Sequence, residues 1–447
     1  MKRIDSSAPR EPVSAADLSG MTGETVTLHG MVQRIRRLGW GAFIVLRRHD
    51  GMVQCVMGSE GNEEVLDSLS EEQAVRVTGT VKEARIKDTS IHPRNAELGV
   101  ERLEIIHRPA ERAPVDLTKK LLDLHIDTNL DLRPLSLRHP VERARLRVAS
   151  VLGELFSDFL RRSGFTEIHT PKICSAGAEG GANIFSVDYF GEKAFLAQSP
   201  QFYKQMGVAV WERVFEVGPV FRAEPHQTTR HINEYTSLDF EMGFIDGQED
   251  VMQLEAAFLR WAFPRLEEVC AYELELLAAD VPEIPDSIPC LTLAEAHAMA
   301  GDELGRDFSG EPDLEPAEER ALCSRLEEET GSGFVFVTHF PTEKRPFYAM
   351  DDPDDPGLTL SFDLLFRGLE VTTGGQRIHD YAAQVEKMER FGLDPADFAG
   401  YLQAHRFGLP PHGGLAIGLE RLAARLLQLD NIRLTTMFPR DVKRLTP

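Results

Sequence analysis

The chain has 447 residues, 42% hydrophobic and 27% charged, with a net charge of -23. That is too long for one ordinary core, so two domains are expected, and the composition is that of a soluble globular protein. No run of about eighteen apolar residues occurs, which excludes a membrane-spanning helix. Residues 1–16 hold no apolar stretch, so no signal peptide is expected. The five scattered cysteines form no CxxC pair, so neither a zinc site nor a disulfide framework is indicated, and the cytoplasm is the simplest compartment.

Residues 1–17 read as a tail. From 18 to 108 the chain reads as short strands: VTLHGMVQRI, GAFIVLRR, MVQCVM and AVRVTGTVKEARI, parted by Gly-containing turns. This spacing suits a small closed barrel such as the OB-fold. Between Thr25 and His49 stand Arg34, Arg36, Arg37, Arg47 and Arg48 with no acid. Such a basic island in an acidic protein suits a polyanion, although a solvated strand face would look the same. Residues 109–137, with Pro109, Pro114 and Pro134, read as a hinge.

The second domain is expected over 138–447. Val148, Val151, Leu152, Leu155, Phe156, Phe159 and Leu160 form one apolar helical face that Gly164 ends, and an extended stretch follows to Pro171. In AQSPQFYKQ, Ser199 is a candidate N-cap and Pro200 a first helical residue, which places Gln201 and Lys204 on one helical face. RVFEVGPVFRAE and EYTSLDFEMGF then read as paired strands around the loop PHQTTRHIN. Alternation puts Arg222 with Glu224, and Asp239 with Glu241, on shared faces. These charges need partners if buried, and otherwise would be a solvated ion-pair face. The acidic stretch 301–333 reads as a surface excursion around one helix.

Residues 360–378 predict a hairpin turning at Arg367-Gly368. Leu365 then lies opposite Glu370, with Asp363 diagonally beside it. Two converging carboxylates suit Mg²⁺, or are simply two solvent-facing acids. Finally, Gly413, Gly414 and Gly418 allow close backbone approach to a ligand. A helix follows with Leu419, Leu422, Ala423, Leu426 and Leu427 on its apolar side and Arg421 in its first turn, where anions are favoured. Mixed strands and helices without a βαβ rhythm indicate an α+β domain on an antiparallel sheet.

Taken in order, these segments resemble the three signature motifs of the class II aminoacyl-tRNA synthetases. The first is the helix and strand ending at Pro171, which builds the dimer interface in that family. The second is Phe221-Arg222-Ala223-Glu224 with Arg230-His231 and the returning strand. The third is Gly418-Leu419-Glu420-Arg421. The resemblance runs from about Leu18 to Pro447 and includes the barrel of the aspartyl, asparaginyl and lysyl subgroup. Ala178-Glu179-Gly180-Gly181, Gln198-Ser199-Pro200-Gln201 with Lys204-Gln205, and Gly374-Gly375-Gln376-Arg377-Ile378 resemble aspartyl-tRNA synthetases of the short, archaeal-like type. Asparaginyl enzymes are the runner-up, disfavoured by Lys204 and Gln376-Arg377.

The resemblance implies activation of L-aspartate by ATP with Mg²⁺, then transfer to tRNA. It places Glu179, Gln201, Phe202, Tyr203, Lys204, Arg222, Asp239, Thr373 and Arg377 around aspartate. It places Arg222, Ala223, Glu224, Arg230, His231, Ile232, Glu370, Gly418, Leu419, Glu420 and Arg421 around ATP, with Arg222 and Arg421 catalytic. Mg²⁺ falls to Glu370, Asp363 and Thr373, where the family usually has Ser. In the barrel, Phe43 would stack on an anticodon base, Gln54 would bond its edge, and Arg36 within the cluster Arg34 to Arg37 would hold phosphate. Gln33 stands where strict enzymes of the family carry Trp. That implies charging of tRNA(Asn) as well as tRNA(Asp), and a partner amidotransferase. A homodimer is implied, and no membrane.

Overall fold

The computed structural model describes residues 13–175 and 183–446. The chain divides between Arg143 and Ala144 into two compact units. In the first, strands β1 (Thr25–Leu38), β2 (Gly41–Arg48), β3 (Gly51–Gly58), β4 (Ala74–Glu83) and β5 (Ala96–His107) close a barrel in the order β1-β2-β3-β5-β4. Alternation in β1 sends Val26 and Leu28 inward and leaves Thr25 and Thr27 outside. Leu28, Ile44, Val53, Val77 and Leu98 are fully enclosed in the barrel core.

Gln33 breaks that alternation. The β1–β2 register shifts between Val32 and Arg34, leaving Gln33 as the extra residue of a bulge. The stretch read as a hinge is packed into this unit. Leu117 and Leu130 are buried, and the enclosed Arg133 donates to Glu142 at 2.7 Å.

The second unit carries an eight-stranded sheet in the order β12-β13-β14-β15-β16-β11-β10-β6. In chain order these are β6 (Thr166–Glu167), β10 (Arg213–Phe221), β11 (Glu234–Gly243), β12 (Cys290–Thr292), β13 (Phe334–Thr338), β14 (Ser361–Phe366), β15 (Leu369–Arg377) and β16 (His412–Gly418). From β13 to β10 all pairings are antiparallel, as the sequence predicts. A small sheet, β7 (Ile173–Cys174), β8 (Ser186–Tyr189) and β9 (Glu192–Leu196), stands apart from it.

The helix Pro140–Arg162 lays Val148, Val151, Leu152, Phe156 and Leu160 against Phe215, Phe240 and Phe258. Each such buried side chain contributes roughly 1.5–3 kcal/mol. The apolar face of this helix is therefore taken up by the protein's own core. Of it, Leu155 and Phe159 remain partly buried at the margin.

The predicted β14–β15 hairpin is present. Leu365 faces Glu370, and Arg367 (φ 45°) with Gly368 (φ 77°) supply the two positive φ values of a tight turn. Stretch 301–333 is not merely a surface excursion. Its helix, Pro316–Thr330, opens with a Glu315–Glu318 capping box and buries Leu322, Cys323 and Leu326 beside β13. No helix among the described residues is long and apolar enough to cross a membrane.

Candidate active site

A cavity of about 670 Å³ opens on one face of the large sheet. Its floor comes from β11, β14, β15 and β16, and its rim from the start of the helix Gln201–Trp211 and the β10–β11 loop. Of the sequence-predicted residues, Gln201, Arg222, Glu224, Arg230, His231, Ile232, Asp363, Glu370, Thr373, Arg377, Gly418, Glu420 and Arg421 line it. Segments far apart in sequence are thus brought to one place.

At one end the groups suit an anion and its counterion. Arg421 donates to the Glu370 carbonyl at 3.0 Å and lies 3.3 Å from its carboxylate. The Thr373 hydroxyl donates to the same carboxylate at 3.1 Å. Burial alone would raise the Glu370 carboxyl, but the charges of Arg421, Arg222 and Arg345 hold it below the ordinary value. Arg222 sits 4.0 Å from Glu224 with its guanidinium over the Tyr235 ring. Glu224 in turn lies 3.8 Å from His231. Burial, then the Arg421 charge, lowers the His231 pKa and favours its neutral form.

Asp363 is not the free carboxylate that the sequence implies. Both its oxygens accept from Arg345, at 3.1 and 2.8 Å, since that largely covered guanidinium needs a counterion. Burial and the facing Glu370 still push Asp363 up to about 6. Two neighbouring carboxylates with a hydroxyl beside them are a set of oxygen donors of the kind a divalent cation takes. The described residues hold no cluster of three or more His, Cys, Asp or Glu side chains placed to chelate a metal alone. Glu370, Asp363 and Thr373 offer the oxygen donors that suit Mg²⁺ with phosphate and water as its other ligands.

At the other end lies a balanced charge network. Arg377 donates to Glu241 at 3.0 Å, to the Gly414 carbonyl at 2.8 Å and to Gln201 at 3.4 Å. Gln201 donates to Glu241 at 3.1 Å. Lys204 is fully enclosed behind this wall, 2.8 Å from Asp239 and 3.5 Å from Glu241. It also donates to the Leu415 carbonyl at 3.0 Å. Neither Lys204 nor Asp239 is among the residues that line the cavity. Burial notwithstanding, Arg377 and Lys204 keep the Glu241 carboxyl below its ordinary value.

Other expected residues also lie off the wall. Phe202 packs in an aromatic cluster with Phe347 and Tyr401, and Leu419 packs against the core. Tyr203 faces Cys174 at 3.9 Å. Ala223 bonds through its backbone to the Asn183 carbonyl. Glu420 reaches the cavity, but its carboxylate accepts the Thr236 N–H at 3.0 and 3.1 Å. Gly413 and Gly414 serve strand packing rather than a ligand. A Cβ on Gly414 would collide with the Phe240 carbonyl and the Glu241 carboxylate. Glu179 lies outside the described residues.

Sequence reasoning missed Asp313 and the run Glu343 to Ala349, which form part of the wall. The one available signal was Lys344-Arg345 followed by Pro346-Phe347-Tyr348, two cations beside an aromatic run. It also missed Glu255 beneath β15. This 1% exposed carboxylate accepts from Thr372 at 2.6 Å, and burial pushes it up to about 8.

In the barrel, Arg36, Phe43 and Gln54 share one outer face. Arg36 pairs with Phe43 across β1–β2, and Gln54 lies diagonally on β3. Phe43 meets the exposed Trp40 edge-on at 5.6 Å. Gln54 donates to Glu97 at 2.8 Å. The rest of the basic island is engaged by the protein. Arg34 pairs with Asp88, Arg37 donates to the Leu66 and Leu69 carbonyls, Arg47 forks onto Glu72, and Arg48 holds Asp50. Gln33 is 5% exposed, donating to the Leu117 carbonyl at 2.6 Å and accepting from Arg47.

Residues 125–442 match the family model described as tRNA synthetases class II (D, K and N), and residues 26–106 match that of the OB-fold nucleic acid binding domain. The chain belongs to the class II aminoacyl-tRNA synthetases, in that D, K and N group. It is 45% identical to the aspartate–tRNA(Asp/Asn) ligase of Deinococcus radiodurans, covering 98% of this chain and 100% of that one. It is also 45% identical to the ligase of the same name from Thermus thermophilus, covering 97% and 100%. Among solved structures, asparaginyl-tRNA synthetase from Pyrococcus horikoshii with asparaginyl-adenylate superposes with a TM-score of 0.88 at 30% identity, over 98% of this chain and 100% of that one.

Proposed function

We infer that this chain is an aspartate–tRNA ligase that charges both tRNA(Asp) and tRNA(Asn). The observation that carries the reading is the dual name of both 45%-identical relatives over nearly the full length. The site's chemistry supports it. An aspartate carboxylate oxygen attacks the α-phosphorus of ATP, the bond to the β-phosphate breaks, and pyrophosphate leaves. Both reactants are anions, so the work is positioning and charge neutralisation, with no protein nucleophile.

Arg222, a wall residue beside Glu224 and Tyr235, neutralises carboxylate and α-phosphate together. Arg421 takes up charge at the leaving end, with His231 and Glu224 steadying the nucleotide. Glu370, Thr373 and the outer lone pairs of Asp363 would hold Mg²⁺, which when bound supplies charge to the phosphates. The aspartate side chain meets Arg377 and Gln201, the wall members of the balanced network, while Lys204 sets the potential from behind. A neutral amide would lose the charge-assisted bond to Arg377, and that difference selects aspartate.

On the barrel, Phe43 stacks on an anticodon base, Gln54 reads an edge and Arg36 meets phosphate. Aspartyl-tRNA(Asn) is useful only where an amidotransferase converts it, so such a partner is part of the reading, as are a homodimer and a cytoplasmic setting.

The test is side-by-side aspartylation of the two transcripts by the intact protein, after aspartate-dependent pyrophosphate exchange with Mg²⁺. Comparable charging is expected. A thousandfold preference for tRNA(Asp), about 4 kcal/mol, would refute the dual reading. Exchange with asparagine instead would refute aspartate.

A further inference from the structure

The acidic stretch 301–333 reaches the cavity twice. Asp313 is on the wall, and Glu319 in the first turn of the helix Pro316–Thr330 pairs with Arg230 of the β10–β11 loop. Arg230 is itself a wall residue, in the same cavity as Glu370 and Arg421. Its Nη2 donates to Glu319 Oε2, whereas its Nη1 is buried with no hydrogen-bond partner among the described residues. A buried donor left unmade is costly, so this arm is arranged to meet an acceptor that arrives from outside.

The mount for Glu319 is rigid. The adjacent Glu318 is fully buried and bonds His297 at 2.7 Å. On the same helix Arg320 packs on Gly368, where an added Cβ would lie 3.1 Å from the Arg320 Cα. Gly368 is the turn of the hairpin that carries Glu370, so one helix braces both the loop cation and the carboxylate strand.

We propose that Glu319 is a positioning residue for ATP, holding Arg230 so that Nη1 is presented to the triphosphate. This rests on the reading that the cavity takes ATP. An arginine on an unbraced loop would lose side-chain freedom on meeting the phosphates; here that freedom is already removed.

The test is pyrophosphate exchange by the full-length protein. Glu319→Gln should raise KM for ATP about tenfold, the effect of one charged hydrogen bond, with KM for aspartate unchanged. Arg230→Ala should match it, and the double variant should be no worse than Arg230→Ala alone. Glu319→Asp keeps the charge on a shorter arm. It should give a smaller rise in KM for ATP alone, and it carries the test should Glu319→Gln fail to fold. An unchanged KM for ATP, a parallel rise in both KM values with a lower Tm, or additive effects in the double variant would overturn the proposal. A wild-type protein without aspartate-dependent exchange would overturn the functional reading instead.

Discussion

Arg47 in the barrel and Arg222 in the cavity each have a glutamate neighbour, yet they are held differently. Arg47 forks onto Glu72 at 2.7 and 2.8 Å and is 7% exposed. Arg222 stands 4.0 Å from Glu224 and is 37% exposed, and Arg421 is 25% exposed. The barrel closes Arg47 into the protein, whereas the pocket leaves Arg222 and Arg421 partly exposed. A cation of the first kind belongs to the fold, and one of the second kind is accessible to a phosphate.

The largest effects should fall on Arg222 and Arg421. Arg222→Ala or Arg421→Ala should remove about 3 to 4 kcal/mol of transition-state stabilisation, as for a lost preorganised donor. Pyrophosphate exchange would then fall by two to three orders of magnitude or so, with Tm little changed. Near-normal exchange in either variant would show that the cavity's cations are not its catalytic groups. Arg47→Ala should do the reverse. It leaves Glu72 with only Arg138 and removes a donor from Gln33, so a stability loss of about 3 kcal/mol is expected in urea unfolding. Exchange at a temperature where the variant is folded should match wild type.

This contrast also marks what was legible in the sequence. Arg222, Glu370 and Arg421 could be placed because each sits at a fixed offset from a strand end, a turn or a helix start, all local signals. The turn at Arg367-Gly368 was readable for the same reason. Whether an arginine is taken is not local. The partners of Arg34 and Arg47 are Asp88 and Glu72, and nothing in the run from Thr25 to His49 announces them. Likewise Lys204 shows the right spacing from Gln201, but only the fold reveals Asp239 closing over it. Glu319 was invisible because its target, Arg230, lies in another segment altogether.

Buried carboxylates sharpen the comparison. In the barrel, burial would raise Glu72, but Arg47 and Arg138 pull it down. Beneath the catalytic sheet Glu255 has no cation and is pushed up to about 8 from 4.5, with one oxygen unpartnered. Between those values the folded protein keeps a proton that the unfolded chain has lost, so stability falls as pH rises through the window. From pH 6 to 8 this group should cost up to about 2 kcal/mol, and Glu255→Gln should flatten that slope. Paired unfolding curves of wild type and variant at the two pH values measure it. Equal slopes would mean that Glu255 is ionised in the fold.

The smallest effects concern tRNA choice, where Phe43 and Gln33 should part company. Phe43 lies on the outer face beside Arg36 and Gln54, so Phe43→Ala should lose a stacking contact of roughly 1 kcal/mol or more. Charging of tRNA(Asp) and tRNA(Asn) should weaken together, since a stack does not distinguish their third anticodon base. Gln33 is different. The family pattern implies that Trp at this position would restore strictness by bulk. Yet the bulge turns Gln33 inward, where Leu117 and Arg47 satisfy its amide. A Trp there overpacks a closed site at about 1–3 kcal/mol of stability. Gln33→Trp should therefore lower Tm and leave the ratio of the two charging rates within about threefold of wild type. Relaxed recognition would then not arise from a contact made by Gln33. A folded Gln33→Trp protein that prefers tRNA(Asp) tenfold or more would show that the side chain reaches the base after all. The inward network would then be one of two states of the bulge.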